Sequence, residues 1–387
     1  MKKGVKKQLI TRIIMIFLFL VGSLTALYPF YSDAINGFID QRMIERYQKK
    51  AKEQELTAMQ QANEEIAKKG TAPNADPFEE ASQEKSASQQ YIEKHLIGTL
   101  TIPSIQAVMP VFDTTNDRLL ERGATVLQGT SYPTGGENTH SAISAHRGLP
   151  QRQLFTDLPD VKLKDIFVLE ILGEKLAYEV DQIKVVEPNV TEDLKLVSGE
   201  DLVTLITCTP YMINSHRLLV RGHRVPYTEE MAATVKKTNE SRLLQQVLIM
   251  LGIVLLLGVL GYLFYRVCQN YRLRKKTIDV VFYLEDAQSV PLKNQQVVLF
   301  DRKGKQTLLR NDVPYAVNSD ENGKVIFKNL PGNLYTVKLK GEKMNGIRFQ
   351  IGLTKPKQTI LQFVFPKGVG IRKVGERETT TVLQIEK

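Results

Sequence analysis

The sequence predicts a mainly β protein that crosses a membrane twice. Two apolar segments without charged residues interrupt the chain, and short alternating strands with Gly, Pro and Asn turns lie between and after them. The first set of strands, in residues 91–228, predicts a small closed barrel or sandwich with short helices. The second set, in residues 277–387, predicts a β-sandwich of seven or eight strands.

The two apolar segments predict transmembrane helices. They run from Ile13 to Phe30 and from Val247 to Tyr265, and each approaches the ~20 residues that a helix needs to cross the bilayer core. A signal peptide is the alternative for the first segment, but no small-residue cleavage pattern clearly follows it, so an uncleaved anchor is favoured. The second has glycine and leucine on all its faces, which suits lipid rather than a soluble core.

Flanking charge predicts the orientation. The net charge is +10, and much of it precedes the first apolar segment or follows the second. Since Lys and Arg concentrate on the cytoplasmic side, residues 31–246 are predicted outside and residues 266–387 inside. A basic chain can also bind nucleic acid, but no arginine-rich arm or aromatic-interleaved basic stripe is present, so no nucleic-acid partner is expected.

The segment before the first strands is predicted to be helical and then loop-like. Residues 33–70 are rich in helix formers, with apolar residues near helical spacing, and predict a juxtamembrane helix or helical hairpin. A solvated stalk is the alternative. Residues 70–82 have the composition of an exposed loop, apart from Phe78. After the strands, residues 229–246 predict a polar helical linker.

Cys208 is the candidate nucleophile, since it is the only cysteine of the outer segment. It ends the strand-like run "DLVTLITC", and the basic strand "HRLLVRGHR" follows. The residues alone leave open a small buried side chain or a reactive thiolate. Cys268, at the inner membrane edge, is expected to be an inert thiol, and the two cysteines lie in different compartments, which excludes a disulfide between them.

A cysteine enzyme also needs a proton-transfer group and a donor for the oxyanion. His146 ends the short apolar strand in "HSAISAHRGLP", where a strand scaffold presents functional side chains, whereas His140 at its other end is expected at the surface. Alternation places Arg217 and Arg221 on one strand face. A guanidinium lowers a thiol pKa and binds a carbonyl oxygen. A satisfied loop histidine and solvated arginines are the alternatives.

Taken together and in order, these stretches resemble the sortase family. "TLITC" with "NSHRLLVRGHR" resembles its active-site signature, and "SAISAHRGLP" resembles its histidine loop. "IGTLTIPSIQAVMPVFDTTN" and "LERGATVLQGTSYPTGGENTHSAISAHRG" resemble the strands before that loop. The resemblance implies a closed sortase-type barrel with Cys208 as nucleophile, His146 as proton-transfer partner and Arg217 as catalytic arginine. Arg221 is the alternative arginine, and Thr207 is implied to support the substrate carbonyl site.

A second membrane span and an Asp-Pro-aromatic lid motif resemble the class C sortases, which polymerise pilins. The motif here is Asp76, Pro77 and Phe78. The resemblance implies that Asp76 approaches the catalytic arginine and that Phe78 covers Cys208. Burying a phenylalanine contributes roughly 1.5–3 kcal/mol, which holds a lid mostly shut but leaves it openable. A linker with an incidental phenylalanine is the alternative.

The class C resemblance implies a membrane-anchored cysteine transpeptidase of a Gram-positive bacterium. Such an enzyme cleaves a Leu-Pro-x-Thr-Gly-like sorting signal between Thr and Gly and joins it, through a thioester, to a lysine of the next pilin subunit. The expected partners are the membrane and pilin or surface-protein substrates; no metal or other cofactor is expected, and the oligomeric state is open. A housekeeping sortase that anchors proteins to cell-wall peptide, and a non-catalytic membrane-tethered scaffold, are the alternatives.

The C-terminal strands depart from the usual class C layout, in which little follows the second span. "DENGKVIFKNLPGNLYTVKL" resembles the prealbumin-like repeats of the Cna-B type. Those repeats often carry a Lys–Asn isopeptide bond with the lysine on the first strand, but the first strand here, "DVVFYLED", has no lysine. The resemblance therefore does not extend to the cross-link, and the domain is predicted to be an interaction or spacing module.

These features predict the following division of the chain: 1–31, cytoplasmic tail and anchor; 32–90, juxtamembrane helix and lid; 91–228, catalytic barrel; 229–246, linker; 247–265, transmembrane helix; 266–276, basic juxtamembrane segment; 277–387, Cna-B-like sandwich.

Overall fold

The fold is described from a computed structural model. The structure describes residues 2–48, 53–70, 76, 78, 88–341, 347–366, 370–377 and 379–385. The chain divides into two compact units, Ser23–Leu256 and the combination of Met1–Gly22 with Leu257–Lys387. The mainly β character is confirmed, because both units are built around sheets. The seven-part division predicted from the sequence stays a prediction.

Six α-helices lie in the described residues: α1 (Lys2–Ala26), α2 (Tyr28–Gln48), α3 (Glu53–Lys69), α4 (Gln89–His95), α5 (Asp117–Leu120) and α6 (Glu229–Lys275). Within that part of the chain, α1 and α6 contain the stretches that are long and apolar enough to cross a membrane. The predicted linker, residues 229–246, is the first part of α6, because it contains helix formers and neither glycine nor proline.

The helices α2 and α3 occupy the segment predicted as a helix or helical hairpin. Met43 of α2 is buried against Leu96 and Phe112, and Met59 of α3 is buried in the barrel core. A solvated stalk is therefore the wrong interpretation of this segment. Each helix thus places an apolar side chain on the barrel, and tertiary packing of this kind contributes to the stability of a helix.

Eight strands close the barrel of the first unit: β1 (Leu96–Ile102), β2 (Ala107–Phe112), β3 (Ala124–Val126), β4 (Thr139–Ser144), β5 (Ile166–Ile171), β6 (Glu174–Val186), β7 (Asp201–Thr209) and β8 (His216–Val225). Their order around the barrel is β1-β2-β3-β4-β7-β8-β6-β5. The pairs β2–β3 and β4–β7 are parallel. The closed barrel is thus confirmed over the sandwich, and closure leaves no unpaired sheet edge.

The strand β7 is buried on both faces, which explains its continuous apolar run. Val203 and Leu205 belong to the core inside the barrel. Ile206 instead packs with Leu219 of β8 in a separate cluster. Since side chains alternate along a strand, Cys208 shares the outer face with Ile206. The site therefore lies on the outside of the barrel wall.

The strands of the second unit are β9 (Thr277–Glu285), β10 (Gln296–Phe300), β11 (Leu309–Arg310), β12 (Val313–Pro314), β13 (Ala316–Asn318), β14 (Lys324–Pro331), β15 (Leu334–Lys340), β16 (Arg348–Gly352), β17 (Gln362–Val364), β18 (Ile371–Arg377) and β19 (Thr380–Ile385). Two sheets, β13-β10-β15-β16-β17 and β14-β9-β19-β18, accompany the small β11–β12 hairpin.

The two sheets of the second unit share one apolar core. Phe282 of β9 and Phe349 of β16 meet edge to face across it, with ring centroids 5.4 Å apart. In the described part of the chain the two sheets hold nine strands, more than the seven or eight predicted. The difference comes from short strands such as β13 and β17, whose three residues are too few to show a period. The Cna-B resemblance stays a prediction.

Candidate active site

Two strand pairings bring the three predicted catalytic residues side by side. The strands β4 and β7 run parallel with Ser144 opposite Ile206, so the same register continued by two residues aligns His146 with Cys208. The strands β7 and β8 run antiparallel, with Cys208 directly opposite Arg217. Cys208 and Arg217, which are paired in this way, project from the same face, with Cβ atoms about 5 Å apart. We call His146, Cys208 and Arg217 the active-site row.

The active-site row is buried although it lies on the outside of the barrel. The exposed fraction is 7% for Cys208 and 6% for Arg217. Phe78 contributes to the cover, because it packs on the outer-face cluster that contains Ile206 and Leu219. The described lid residues therefore occupy the surface beside the candidate nucleophile.

Asp76 forms a buried ion pair with Arg217. The Arg217 Nε donates to Oδ1 of Asp76 at 2.8 Å, and its Nη2 donates to the other carboxylate oxygen. Only 3% of Asp76 is exposed. The third guanidinium nitrogen, Nη1, donates to the carbonyl oxygens of Asn214 and His216 at 2.9 and 3.0 Å. A fork of this kind is among the stronger polar contacts in proteins.

Phe78 spans the two ends of the row. Its ring centroid lies 5.6 Å from that of His146, and the Arg217 guanidinium carbon lies 5.2 Å from the Phe78 centroid. Because His146 and Arg217 flank Cys208, the ring lies across the approach to the thiol. Pro77, the middle residue of the predicted lid motif, lies outside the described residues.

The closed site favours uncharged forms of both reactive groups. Burial raises the pKa of the Cys208 thiol, and the Asp76 carboxylate adds to the rise while Arg217 opposes it. Burial lowers the pKa of His146, against the opposing effect of Asp117 and Glu121. Desolvation acts in this way because it disfavours the charged form of each group. A thiolate is a better nucleophile than a thiol, so this environment lowers the reactivity expected of Cys208.

Two further predicted site residues, Thr207 and Arg221, lie apart from the row. Thr207 is buried, and its hydroxyl donates to the carbonyl oxygen of Ala145 at 2.8 Å, which ties β7 to the histidine loop. Arg221 lies four residues beyond Arg217 and makes a fork with Asp181, with both distances 3.0 Å. The structure thus brings Arg217, and not Arg221, opposite the cysteine.

His140 is buried, so the prediction of a surface position was wrong. Its exposed fraction is 1%. Its Nδ1 donates to the carbonyl oxygen of Lys195 at 2.8 Å, and its Nε2 then accepts from the hydroxyl of Thr204, also at 2.8 Å. Burial lowers its pKa. The error arose because the loop with buried Leu194 covers the outer face of β4, and no local pattern reports that contact.

Arg147 is a site residue that the sequence analysis did not single out. Its Nη1 donates to Oγ1 of Thr209 at 3.3 Å, and its guanidinium carbon lies 5.6 Å from the Tyr211 ring centroid. It therefore links the loop after His146 to the strand end after Cys208. Its place directly after His146 was the available signal. Across the described ranges, no group of three His, Cys, Asp or Glu side chains is placed to hold a metal ion.

Comparison with known proteins points to one family. Residues 100–225 match the family described as Sortase domain. Sortase A of Bacillus anthracis is 27% identical over 222 residues, which cover 57% of this chain and 96% of that protein.

Similar solved structures include two sortase C chains. Sortase C1 of Streptococcus agalactiae is 42% identical, with 49% of this chain and 98% of that chain covered and a TM-score of 0.43. Sortase C of Streptococcus pneumoniae, studied for its catalysis and pilin substrate specificity, has the same identity, coverage and TM-score. Because identity at this level extends over nearly the whole of these sortase C chains, this protein belongs to the sortase family of cysteine transpeptidases, and class C fits it.

Proposed function

We propose that this protein is a membrane-anchored transpeptidase that joins pilin subunits. The single observation that carries the proposal is the active-site row beneath the Asp76–Phe78 lid. Sortase C of Streptococcus pneumoniae, a similar chain, has been studied for its pilin substrate specificity, which supports pilins as the substrate class. The signal is of the Leu-Pro-x-Thr-Gly type.

The first half-reaction makes a thioester. The Cys208 thiolate attacks the carbonyl carbon between Thr and Gly of the signal, and the negative charge moves to the carbonyl oxygen. Arg217 stabilises that oxygen, because its guanidinium offers fixed donors opposite the thiol. Asp76 must leave before this happens, since it occupies Nε and Nη2 of Arg217 in the closed state. The imidazolium of His146 then protonates the departing glycine amine.

The second half-reaction transfers the acyl group to a lysine amine. The neutral amine attacks the thioester carbonyl, the bond to Cys208 Sγ breaks, and His146 takes the proton that the amine gives up. The thiolate and imidazolium are thereby restored. An amine competes with water because it is the better nucleophile toward a thioester. Thr207 is proposed to support the carbonyl site through the bond that holds the histidine loop.

The proposed cellular setting follows from the two apolar helices. Basic residues before the apolar part of α1 and after that of α6 favour a catalytic unit outside the cell and residues 266–387 in the cytoplasm. The C-terminal sheets then act as an interaction or spacing module on the inner side of the membrane.

The proposal is tested by the mass of the acylated enzyme. Full-length protein in detergent is incubated with a Leu-Pro-x-Thr-Gly peptide, and an adduct that hydroxylamine removes is expected on Cys208. Addition of a lysine peptide should convert the adduct into a ligated product. Cys208→Ala should abolish both products, whereas Cys268→Ala, which removes the other free cysteine, should leave both rates unchanged.

Other outcomes identify the alternatives. Transfer to cell-wall peptide amines in preference to pilin lysines would favour a housekeeping anchoring enzyme. No adduct in wild type, even with a lid that has been opened by substitution, would favour a non-catalytic scaffold. Persistence of pilin ladders in cells whose only sortase is the Cys208→Ala variant would also contradict the proposal.

A further inference from the structure

One groove is lined by residues that follow His146 and Cys208 closely along the chain. Its cavity volume is about 820 Å³, and it lies within the first unit. Its wall contains Gly148 and Leu149 of the loop after His146, and Tyr211 of the loop after Cys208. The Tyr211 ring packs on the Gly148 backbone so closely that a Cβ at Gly148, where φ is +82°, would lie 2.4 Å from it. Both catalytic segments therefore continue into this groove.

The groove is separate from the surface that the lid covers. Phe78 packs on the outer-face cluster of Ile206 and Leu219, and neither Asp76 nor any residue of that cluster lines the groove. A transpeptidase binds two substrates, and the second must reach the thioester while the first still occupies its own surface. The groove and the surface beneath Phe78 share no lining residue, which meets that requirement.

The groove has two carboxylates without an ion-pair partner among the described residues. Asp157 and Asp160 line it, and within the described part of the chain neither forms an ion pair; Asp157 accepts a hydrogen bond from the Gln153 side chain. The two arginines of the same wall, Arg152 and Arg242, are already paired with carboxylates of α2. The nearby Arg147 guanidinium does not line the groove, and it donates to the Thr156 carbonyl oxygen and the Thr209 hydroxyl. The unpaired carboxylates therefore favour a cationic ligand, while Leu149, Pro150 and Tyr211 offer apolar surface to the chain that carries it.

We propose that this groove binds the acceptor, an extended segment whose lysine ammonium is drawn to Asp157 and Asp160 and delivered to the thioester past His146. The proposal rests on the transpeptidase function proposed above. The lysine loses one proton to solvent, and its neutral amine forms the new C–N bond. The C–S bond to Cys208 breaks, the sulfur keeps the electron pair, and the second amine proton passes to His146. No co-reactant is required.

The test separates the two half-reactions. In full-length protein, Asp157→Asn with Asp160→Asn should raise the KM for a lysine peptide about fivefold, because two weak charge contacts are lost. The rate of thioester formation from the sorting peptide should not change. The wild-type acceptor KM should rise with salt, since exposed charges are screened within about 10 Å at 0.1 M, and the double variant should lose that dependence.

Controls make the result specific. Glu174→Gln with Glu200→Gln removes two exposed carboxylates that do not line the groove, and should leave the acceptor KM unchanged. Asp157→Glu with Asp160→Glu should restore most of the acceptor affinity. An unchanged acceptor KM in the Asn variant, or a rise confined to the donor peptide, would overturn the acceptor assignment. Failure of the proposed function would look different, because wild type itself would form no thioester.

Discussion

Arg217 is the residue on which both the proposed chemistry and the proposed lid depend. Its Nε and Nη2 hold Asp76 in the closed state, while Nη1 is bonded to backbone carbonyls of the loop after Cys208. The donors that fix the lid are thus the ones a substrate oxygen needs. In the proposed mechanism, Asp76 and the substrate oxygen compete for the Arg217 side chain, so that opening the lid also frees Arg217.

The first prediction concerns the identity of the catalytic arginine. Arg217→Lys should lower kcat/KM for the sorting peptide about 10²–10³-fold, the usual cost of removing an oxyanion donor, because an ammonium cannot reproduce the planar fork. Arg221→Lys is the matched control on the same strand face, and it should have little effect because Arg221 pairs with Asp181. Equal losses in the two variants would contradict the assignment.

At the scale of elements, the proposed lid of Asp76 and Phe78 is expected to act by changing the environment of the Cys208 thiol. Burial and the Asp76 charge both raise the pKa of Cys208, so the closed lid lowers the thiolate fraction at neutral pH. Opening reverses both effects and leaves the lowering influence of Arg217 without its nearest carboxylate. We therefore expect the lid to suppress the reactivity of Cys208 electrostatically as well as by blocking access.

The second prediction is a shift in the pH dependence of thiol labelling. Asp76→Asn and Phe78→Ala, alone and combined, should lower the pKa of Cys208, so the labelling rate should rise at neutral pH and reach its plateau at lower pH than in wild type. Stopped-flow reaction with a disulfide probe gives both quantities. Asp181→Asn is the control. It removes a carboxylate that is paired elsewhere on the barrel, and it should not change the pH profile of labelling. If the pH profile of labelling is the same as in wild type for all the lid variants, the lid does not control the reactivity of Cys208.

The helix α2 is held to the barrel by a buried ion pair. Asp40 of α2 pairs with Arg152, and their exposed fractions are 8% and 6%. Burial raises the pKa of Asp40, and Arg152 opposes that rise. Asn36 of the same helix donates to the carbonyl oxygen of Gln151 at 3.1 Å. The attachment is therefore polar as well as apolar.

The third prediction follows from that attachment. Asp40→Ala leaves the Arg152 charge buried without its partner, which costs about 3–5 kcal/mol. The thermal midpoint of the full chain in detergent should fall by on the order of 10 °C. Glu65→Ala on α3 breaks an exposed pair with Lys69 and should change the midpoint little. A small effect of Asp40→Ala would mean that the ion pair with Arg152 adds little to the attachment of α2.

At the scale of the whole molecule, the apolar helices and their basic flanks determine the proposed topology. The fourth prediction is that trypsin added to intact protoplasts cleaves within residues 31–246, which are predicted outside the cell, but does not cleave an epitope tag placed after residue 387. Detergent-permeabilised protoplasts provide the control, because there the tag should be lost as well. Loss of the tag in intact protoplasts would place the C-terminal sheets outside the cell.

The sequence by itself determined features that depend on neighbours along the chain. Alternation and turn residues predicted the strands, apolar length predicted the two long helices, and the order of short motifs predicted the family. These features are encoded locally, since a strand or a membrane span needs only its own residues to be recognised. The candidate site stretches around His146 and Cys208 were predicted from the same kind of local pattern.

Tertiary structure decided which surfaces meet. The fork between Asp76 and Arg217 joins residues 141 positions apart. The burial of His140, the choice of Arg217 over Arg221 as the partner opposite Cys208, and the packing of α2 and α3 all depend on strand order and register. The residue pattern of a segment does not show which distant surface will cover that segment, because the contact forms only once the barrel has closed.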